Sequence, residues 1–392
     1  MSFLGIDLGT SGLRALLVDG GGRPVGSTER HYPVSHPHSG WSEQDPAHWI
    51  GALEGAVADL RDRHPELTAL RGIGVAGHMH GATLLDGDDR VIRPCILWND
   101  TRSHAQAARL DAIPGIRGLS GNIVFPGFTA PKLEWVREHE PENHARVARV
   151  LLPAAFLNLY LTGDHVTDMS DAAGTSWLDT GARDWSDALL AAGHMRRDQM
   201  PRLVEGSAPA GSLRGDLARA WGLSQPVIVA GGAGDNAAAA CGIGAMAEGQ
   251  GFVSLGTSGV LLAARDGYHP APATALHTFC HAVPGTWYPK HVGFLGAAAP
   301  AVSGLRNVAF SADAAPAATF EMSFGGASES ASLFRKLRDL LIEQFGLEQA
   351  DQALPSWQIE WLDEQDKAAA PSFAQPQART DTTPNPQEES PV

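Results

Sequence analysis

The sequence predicts an α/β protein organised in two lobes, and three observations support this. The chain has 392 residues, more than one ordinary hydrophobic core accommodates, so two domains are expected. Strand-like and helix-like segments alternate along the chain, which is typical of α/β folds. The five-residue sequence Leu-Gly-Thr-Ser-Gly occurs twice, at Leu8–Gly12 and at Leu255–Gly259, which indicates an internal repeat.

Both copies of the repeat have matching neighbours. The first lies between the apolar runs Phe3–Ile6 and Leu13–Val18, and the second lies between Phe252–Val253 and Val260–Ala264. An apolar run, a Gly/Ser/Thr turn and a second apolar run predict a β-hairpin, here used twice. The turn residues are Gly9, Thr10 and Ser11 in the first copy and Gly256, Thr257 and Ser258 in the second.

Such a turn has two interpretations. It can be a simple connection, or its glycines can let backbone N–H groups approach a phosphate while the hydroxyls add neutral donors. A mere connection has no reason to repeat its sequence, so two identical copies favour a polyphosphate held between two lobes. Asp7 precedes the first turn, where Ser254 precedes the second. A carboxylate beside a phosphate requires a cation between them, so Asp7 predicts a Mg²⁺ site.

Other helices and strands fall between the two copies. Asp45–Pro46 predicts a helix start, because aspartate is a favoured N-cap and proline a favoured first residue. A strand at Pro226–Ala230 runs into Gly231–Gly234, and a helix is expected from Asn236 onward. Asp235 at this junction has two compatible roles. It can cap the helix, or it can act as a general base that takes a proton from a substrate hydroxyl during phosphoryl transfer.

The same segment also fits a different class of protein. Gly232 and Gly234 with Ala237 match a relaxed dinucleotide fingerprint, which is the basis of an NAD(P)-dependent oxidoreductase alternative. Asp235 would then sit inside the pyrophosphate cradle, which counts against it. A zinc site is a further, weaker alternative, because the candidate ligands are far apart in sequence. These ligands are His78, His80, His277, Cys280 and His281.

Composition limits the partners and the compartment. The net charge of −15 argues against nucleic acid or an anionic membrane as the main partner, because both need a basic face. Three widely spaced cysteines do not form a disulfide framework and favour a reducing compartment. With neither a secretory leader nor an apolar stretch of membrane-spanning length in view, we expect a cytoplasmic protein.

The residues named above, with several further segments, resemble the FGGY carbohydrate kinases. Ile6–Gly12 resembles the opening of that family, Trp41–Pro46 its Trp-x-Glu-Gln-Asp-Pro segment, and Gly127–His139 its first signature. Four further segments resemble the xylulokinase branch of the family: Met79–Gly81, Ile96–Arg102, Asp168–Thr175 and Gly234–Asn236. The resemblance covers the chain from residue 3 to about residue 288.

This resemblance implies an actin-like ATPase (ribonuclease H-like) fold with duplicated domains and transfer of the γ-phosphate of MgATP to the 5-hydroxyl of D-xylulose or a related pentulose. It implies that Asp235 is the proton acceptor and that Asp7 supports the metal. It also implies a set of sugar-contacting or cleft-lining residues, namely Met79, His80, Trp98, Asn99, Asp100 and Asn236. A homodimer is compatible with these features.

The sequence departs from the family pattern in two places. His78 stands where these kinases usually carry glutamine, which is a minor difference. After the second turn only 133 residues follow, so the second lobe is expected to be incomplete. The predicted divisions are an N-terminal lobe at 1–245, a partial C-terminal lobe at 246–365 and a disordered tail at 366–392. The functional alternative is therefore a truncated, catalytically impaired remnant that still binds sugar.

Overall fold

The computed structural model describes residues 1–255, 259–274 and 276–293. All of these belong to one compact unit, which comprises Met1–Phe294 with Gly304–Phe320. A second unit, Leu295–Ser303 with Glu321–Val392, lies outside the described residues. The turn at Gly256, Thr257 and Ser258 and the expected tail lie outside them as well, and the domain divisions stay a prediction.

The described residues form nineteen strands and ten α-helices. The strands are β1 (Ser2–Leu8), β2 (Gly12–Asp19), β3 (Pro24–His31), β4 (Glu43–Gln44), β5 (Leu70–Gly77), β6 (Thr83–Leu85), β7 (Cys95–Ile96), β8 (Arg149–Leu151), β9 (Val166–Asp168), β10 (Leu178–Asp179), β11 (Asp184–Trp185), β12 (Arg202–Val204), β13 (Pro209–Ser212), β14 (Ile228–Ala230), β15 (Ala233–Gly234), β16 (Gly251–Leu255), β17 (Gly259–Ala263), β18 (His277–Cys280) and β19 (Trp287–Gly293). The α-helices are α1 (Pro46–Arg63), α2 (His104–Asp111), α3 (Ile116–Ser120), α4 (Thr129–His139), α5 (Pro141–Arg146), α6 (Pro153–Thr162), α7 (Met169–Ala172), α8 (Asp187–Ala192), α9 (Gly215–Ala220) and α10 (Asp235–Gly242).

A mixed sheet forms the centre of the N-terminal part. Its strand order is β13-β14-β5-β1-β2-β3, with β15 also pairing to β5. The predicted first hairpin is confirmed, since β1 and β2 pair antiparallel with Leu8 opposite Leu13. Strands β1 and β5 run parallel, so the carboxyl ends of both strands lie at the same edge of the sheet. Asp7 and the segment after Gly77 are thereby brought to that edge.

One face of this sheet is covered by α1 and α6. Helix α1 begins at Pro46 as predicted, and the Asp45 side chain accepts a hydrogen bond from the Ala47 N–H at 2.9 Å. Trp49, Leu53 and Leu60 on α1 are fully buried. They belong to one apolar cluster with the alternate buried residues of β1, such as Leu4. Burying apolar area in this way is the main source of stability for the lobe.

The second predicted hairpin is also present. Strands β16 and β17 pair antiparallel, with Phe252 opposite Leu262, and the four-stranded sheet has the order β16-β17-β19-β18. Phe279 on β18 and Tyr288 on β19 belong to the same buried cluster as Met79. This sheet therefore packs against the segment that follows β5. In the described part of the chain, no helix is both long enough and apolar enough to cross a membrane.

Candidate active site

In the first turn the carbonyl groups are engaged by the protein, whereas two N–H groups have no acceptor in the described part of the chain. The carbonyl of Gly9 accepts from the Tyr32 hydroxyl at 2.6 Å, and that of Thr10 accepts from the Gln44 side-chain amide at 2.5 Å. The carbonyl of Ser11 accepts from the Tyr32 N–H at 3.2 Å. Among the described residues, none accepts a hydrogen bond from the N–H groups of Thr10 and Ser11. Backbone donors that are oriented in this way suit an anionic ligand.

Steric contacts with the neighbouring backbone explain the glycines of this turn, and these contacts are not visible in the sequence. A Cβ atom at Gly12 would lie 2.9 Å from the Arg30 carbonyl oxygen, and one at Gly9 would lie 3.0 Å from the Gly12 carbonyl oxygen. A side chain at Gly12 would force the neighbouring backbone to shift, and one at Gly9 would be tight against it, whether or not a ligand is bound. Close approach of a ligand, which the sequence suggested, is not needed to explain them.

Asp7 and Asp235 form the open carboxylate pair of the site. Both residues are exposed. Loss of hydration around Asp7 raises the pKa of its carboxyl group, and the negative charge of Asp235 raises it further. Two carboxylates that repel each other in this way fit a divalent cation, because Mg²⁺ is usually held by one or two carboxylates with water and substrate phosphates completing its shell. Asp7 would hold such an ion here, with Asp235 adding to the negative charge that favours it.

Asp235 is not the helix cap. Gly234 occupies the N-cap of α10 without a side-chain hydrogen bond, and Asp235 is the first residue of the helix. Its Oδ1 atom accepts from the backbone N–H of Asn236 at 2.6 Å and from the Asn236 side-chain amide at 2.5 Å. No described residue donates to Asp235 Oδ2. One carboxylate oxygen is thus oriented while the other is available to a substrate.

Met79 and His80, called here the His80 wall, follow β5, whose end pairs with Gly234 just before Asp235. His80 has a left-handed backbone with φ of 70°, which is unusual for a residue other than glycine. The Lys132 ammonium donates to the His80 carbonyl oxygen at 2.7 Å, and the Thr129 hydroxyl donates to it at 3.2 Å. The His80 ring stacks on Phe128 with the ring centres 4.5 Å apart. These contacts hold the strained backbone in place.

The hydrogen bonds of His80 fix its tautomer. Burial lowers the pKa of the imidazole well below its ordinary value, so the ring is neutral. Its Nδ1 atom lies 2.7 Å from the carbonyl oxygen of Gly174, and a carbonyl only accepts. Nδ1 must therefore carry the proton, which leaves Nε2 as an acceptor. Such an acceptor suits a sugar hydroxyl.

Two further glycines make room for the Met79 and His80 side chains. A Cβ atom at Gly234 would lie 2.9 Å from Met79 Cγ, and one at Gly174 would lie 2.5 Å from His80 Nδ1. Gly232 has φ of 90° and its Cβ would lie 2.1 Å from the Val75 carbonyl oxygen. The glycines that match a dinucleotide fingerprint therefore pack against protein atoms. This explains Gly232 and Gly234 without a cofactor.

The three residues of the Trp98–Asp100 segment differ in exposure and in their hydrogen-bond partners. Trp98 is 47% exposed and its indole N–H donates to the Thr10 hydroxyl at 2.9 Å. Asn99 is exposed, whereas Asp100 is buried. The Asp100 carboxylate accepts from the Ser42 N–H at 2.6 Å and forms an ion pair with Arg102 at 2.7 Å. The structure thus places Trp98 beside the first turn and places Asp100 in a buried ion pair, away from the open face.

A second, buried pair of aspartates lies beneath the site. The Asp168 carboxylate accepts from the N–H groups of Ser170 and Asp171 and caps α7. Neither oxygen of Asp171 has a hydrogen-bond partner among the described residues. Burial raises the pKa of Asp168 to about 6. Burial, and then the charges of Asp168 and Asp235, raise the pKa of Asp171 well above its ordinary value.

The other candidate metal ligands are not brought together. Within the described residues there is no group of three His, Cys, Asp or Glu side chains that could hold a metal ion. His78 is buried against Trp49, with the ring centres 5.6 Å apart. His281 lies 3.1 Å from the carbonyl oxygen of Ala245. The zinc alternative therefore has no support in this part of the chain.

Comparison with known proteins identifies the family. Residues 2–242 match the model of the FGGY family of carbohydrate kinases, N-terminal domain. The chain belongs to the FGGY family of carbohydrate kinases. This confirms the family and the α/β actin-like fold that the sequence predicted, and it leaves the oxidoreductase alternative without support.

Several relatives of this FGGY chain share its N-terminal part. It is 48% identical to the xylulose kinase of Escherichia coli (strain K12) over 311 residues, which cover 78% of this chain and 64% of that protein. It is 50% identical to the xylulose kinase of Klebsiella pneumoniae over 287 residues, 73% of this chain and 59% of that protein. The chain therefore spans less than two thirds of the length of these relatives.

Comparison with solved structures also finds xylulose kinases that this chain covers in part. A crystal structure described as a xyloylose kinase from Brucella ovis has a TM-score of 0.74 at 60% identity, covering 74% of this chain and 60% of that one. The xylulose kinase of Rhodospirillum rubrum has a TM-score of 0.71 at 26% identity, covering 90% and 66% of the two chains. Each of these solved chains is therefore covered only in part by this one.

Proposed function

We propose that this chain transfers the γ-phosphoryl group of ATP to the 5-hydroxyl of D-xylulose, giving D-xylulose 5-phosphate and ADP. The observation that carries the proposal is the Oδ2 atom of Asp235, to which no described residue donates and which belongs to the open carboxylate pair beside the His80 wall. The E. coli and K. pneumoniae relatives described as xylulose kinases support D-xylulose as the sugar. A related pentulose would use the same groups.

The proposed step is a proton transfer coupled to an attack on phosphorus. Asp235 Oδ2 accepts the hydroxyl proton, the hydroxyl oxygen forms a bond to the γ-phosphorus, and the bond from that phosphorus to the ADP oxygen breaks. Mg²⁺, held by Asp7, would neutralise charge on the phosphates. His80 Nε2 accepts a hydrogen bond from the sugar, while Asn236 holds the Asp235 carboxylate in place.

The nucleotide phosphates are assigned to the first turn. Its Thr10 and Ser11 N–H groups are free of partners among the described residues, and Trp98 holds the Thr10 hydroxyl. Gly256, Thr257 and Ser258 are proposed to provide the matching donors. Closure of the lobes around the substrates would exclude water and so limit wasteful hydrolysis of ATP. A cytoplasmic location and a homodimer remain predictions.

A coupled assay with the purified chain, MgATP and D-xylulose tests this proposal. The E. coli xylulose kinase is the positive control and the Asp235→Ala variant is the negative control. Formation of ADP that depends on D-xylulose supports the proposal. No turnover by the chain, under conditions where the control enzyme is active, contradicts it.

The length of the match favours one alternative, a sugar-binding protein that lacks catalysis. The chain spans 64% of the E. coli relative, so the rest of that relative's length lies outside the match. Calorimetry separates the two functions. D-xylulose binding without ATP binding supports the alternative, whereas micromolar ATP binding rules it out.

A further inference from the structure

Lys290 is a cation beside the candidate site that neither the motifs nor the comparisons single out. It lies on β19, directly opposite His277 on β18 and opposite Leu262 on β17. Residues that are directly opposite in antiparallel strands share a face of the sheet. His277 and Leu262 are buried, so Lys290 points to the face that packs on the N-terminal part and not to the opposite face.

The amine of Lys290 lies close to the His80 wall. Its Nζ atom is 5.8 Å from the centre of the Phe279 ring. The Phe279 ring centre is in turn 6.2 Å from that of His80. The positive charge of Lys290 is one of the causes, after burial, that lower the pKa of His80. The strand register and the effect of its charge on His80 therefore place Lys290 on the side of the sheet that faces the His80 wall.

The charged and titratable groups that face Lys290 come from three other elements. Burial lowers the pKa of Lys290, and the negative charge of Asp235 on α10 opposes that shift. His80 follows β5, and His277 lies opposite on β18. Among the described residues Lys290 has no ion-pair or hydrogen-bond partner, whereas the fully buried Lys132 donates to two backbone carbonyls. A partly buried cation without a counterion is costly unless a ligand provides the anion.

We propose that Lys290 binds the transferred phosphoryl group and its phosphate in the sugar-phosphate product. This inference rests on the proposed function. In that reaction the phosphoryl group ends on the oxygen that Asp235 deprotonates, so a cation close enough to interact with Asp235 is also close to the new phosphate. A lysine ammonium binds phosphate as a point charge with three donors. A neutral sugar offers it no such charge.

Calorimetry with two ligands, D-xylulose and D-xylulose 5-phosphate, tests the inference. The variants are Lys290→Met, which removes the charge at similar length, and Lys290→Arg, which keeps it. Arg71→Met is the matched control, because Arg71 is an exposed cation on β5. We expect Lys290→Met to weaken D-xylulose 5-phosphate binding by about tenfold or more. We expect D-xylulose binding to stay within about twofold, and Lys290→Arg to retain most of the affinity for the phosphate.

The other outcomes are distinguishable. Equal affinity of wild type and Lys290→Met for D-xylulose 5-phosphate overturns the inference and leaves the proposed function standing. An equal loss for both ligands also overturns it, because it indicates a merely structural role. If the wild-type chain binds neither ligand, the proposed function and the inference fail together. Thermal unfolding of each variant verifies folding, and Lys290→Gln, which also removes the charge, provides the test if the Met variant does not fold.

Discussion

Two pairs of aspartates in this structure share a residue type but differ in environment. Asp7 and Asp235 are exposed, and Asp235 has a carboxylate oxygen without a partner in the described part of the chain. Asp168 and Asp171 are fully buried, and Asp168 holds the start of α7. Burial removes a carboxylate from water and disfavours its charge, so the open pair suits chemistry whereas the buried pair suits support of the site. Changes in the two pairs should therefore affect different properties.

The largest effect is expected for Asp235→Ala in the open pair. Loss of a general base should lower kcat by about 10²–10⁴-fold, with D-xylulose binding by calorimetry largely retained, because a base acts mainly in the transition state. Asp216→Ala is the matched control, since Asp216 is an exposed aspartate in the first turn of α9. Unchanged turnover would remove Asp235 from the catalytic role.

Asp7→Asn should weaken the use of Mg²⁺. Removing one carboxylate from the pair leaves fewer negative ligands for the cation. We expect the Mg²⁺ concentration for half-maximal activity to rise by about 10–100-fold, measured in the coupled assay across a Mg²⁺ titration. The control is Asp62→Asn, at an exposed position on α1. An unchanged Mg²⁺ dependence would show that Asp7 does not hold the metal.

Asp168→Ala, in the buried pair, should reduce stability. The substitution removes the cap that accepts from the N–H groups of Ser170 and Asp171. The free energy of unfolding, measured with denaturant, should fall by about 1–2 kcal/mol. Loss of activity with unchanged stability would contradict the division between the two pairs, because it would assign chemistry to a buried residue.

The smallest effect is expected for Asp171→Asn, and it should depend on pH. Because the pKa of Asp171 is raised in the folded chain, the folded state keeps a proton that the unfolded state releases above about pH 4. The wild type therefore loses stability as pH rises above that value, while asparagine has no such proton to lose. Denaturant unfolding from about pH 4.5 to 8 should show the variant gaining stability relative to wild type. A constant difference across this range would contradict the assignment.

Part of this architecture could be predicted from local sequence. The hairpin at Leu8–Gly12 follows from its apolar flanks and its Gly/Ser/Thr turn, and α1 follows from Asp45–Pro46, because capping and turn chemistry are local. The position of Asp235 after a strand and a glycine run was also readable. These features depend on residues that are close neighbours along the chain.

The remaining features of the fold and of the site depend on contacts between residues that are distant along the chain. Gly234 is glycine because Met79 fills the space beside it, and Asp100 is buried because Arg102 and Ser42 bind it. Lys290 reaches the site only through the pairing of β19 with β17 and β18. A single lysine in a strand gives no local signal of this. Lys132 was visible in a family motif, but its contact with the His80 carbonyl was not.

The exposure of Trp98 gives the site an optical reporter. Of the tryptophans in the described residues, Trp98 alone is among the exposed large side chains, and its indole N–H is bound to the Thr10 hydroxyl of the first turn. A ligand that occupies this turn would shield the indole from a collisional quencher such as iodide. Intrinsic fluorescence can therefore follow occupancy of the site at equilibrium and on the stopped-flow timescale, without a label, and Trp98→Phe identifies the fraction of the signal that belongs to this residue.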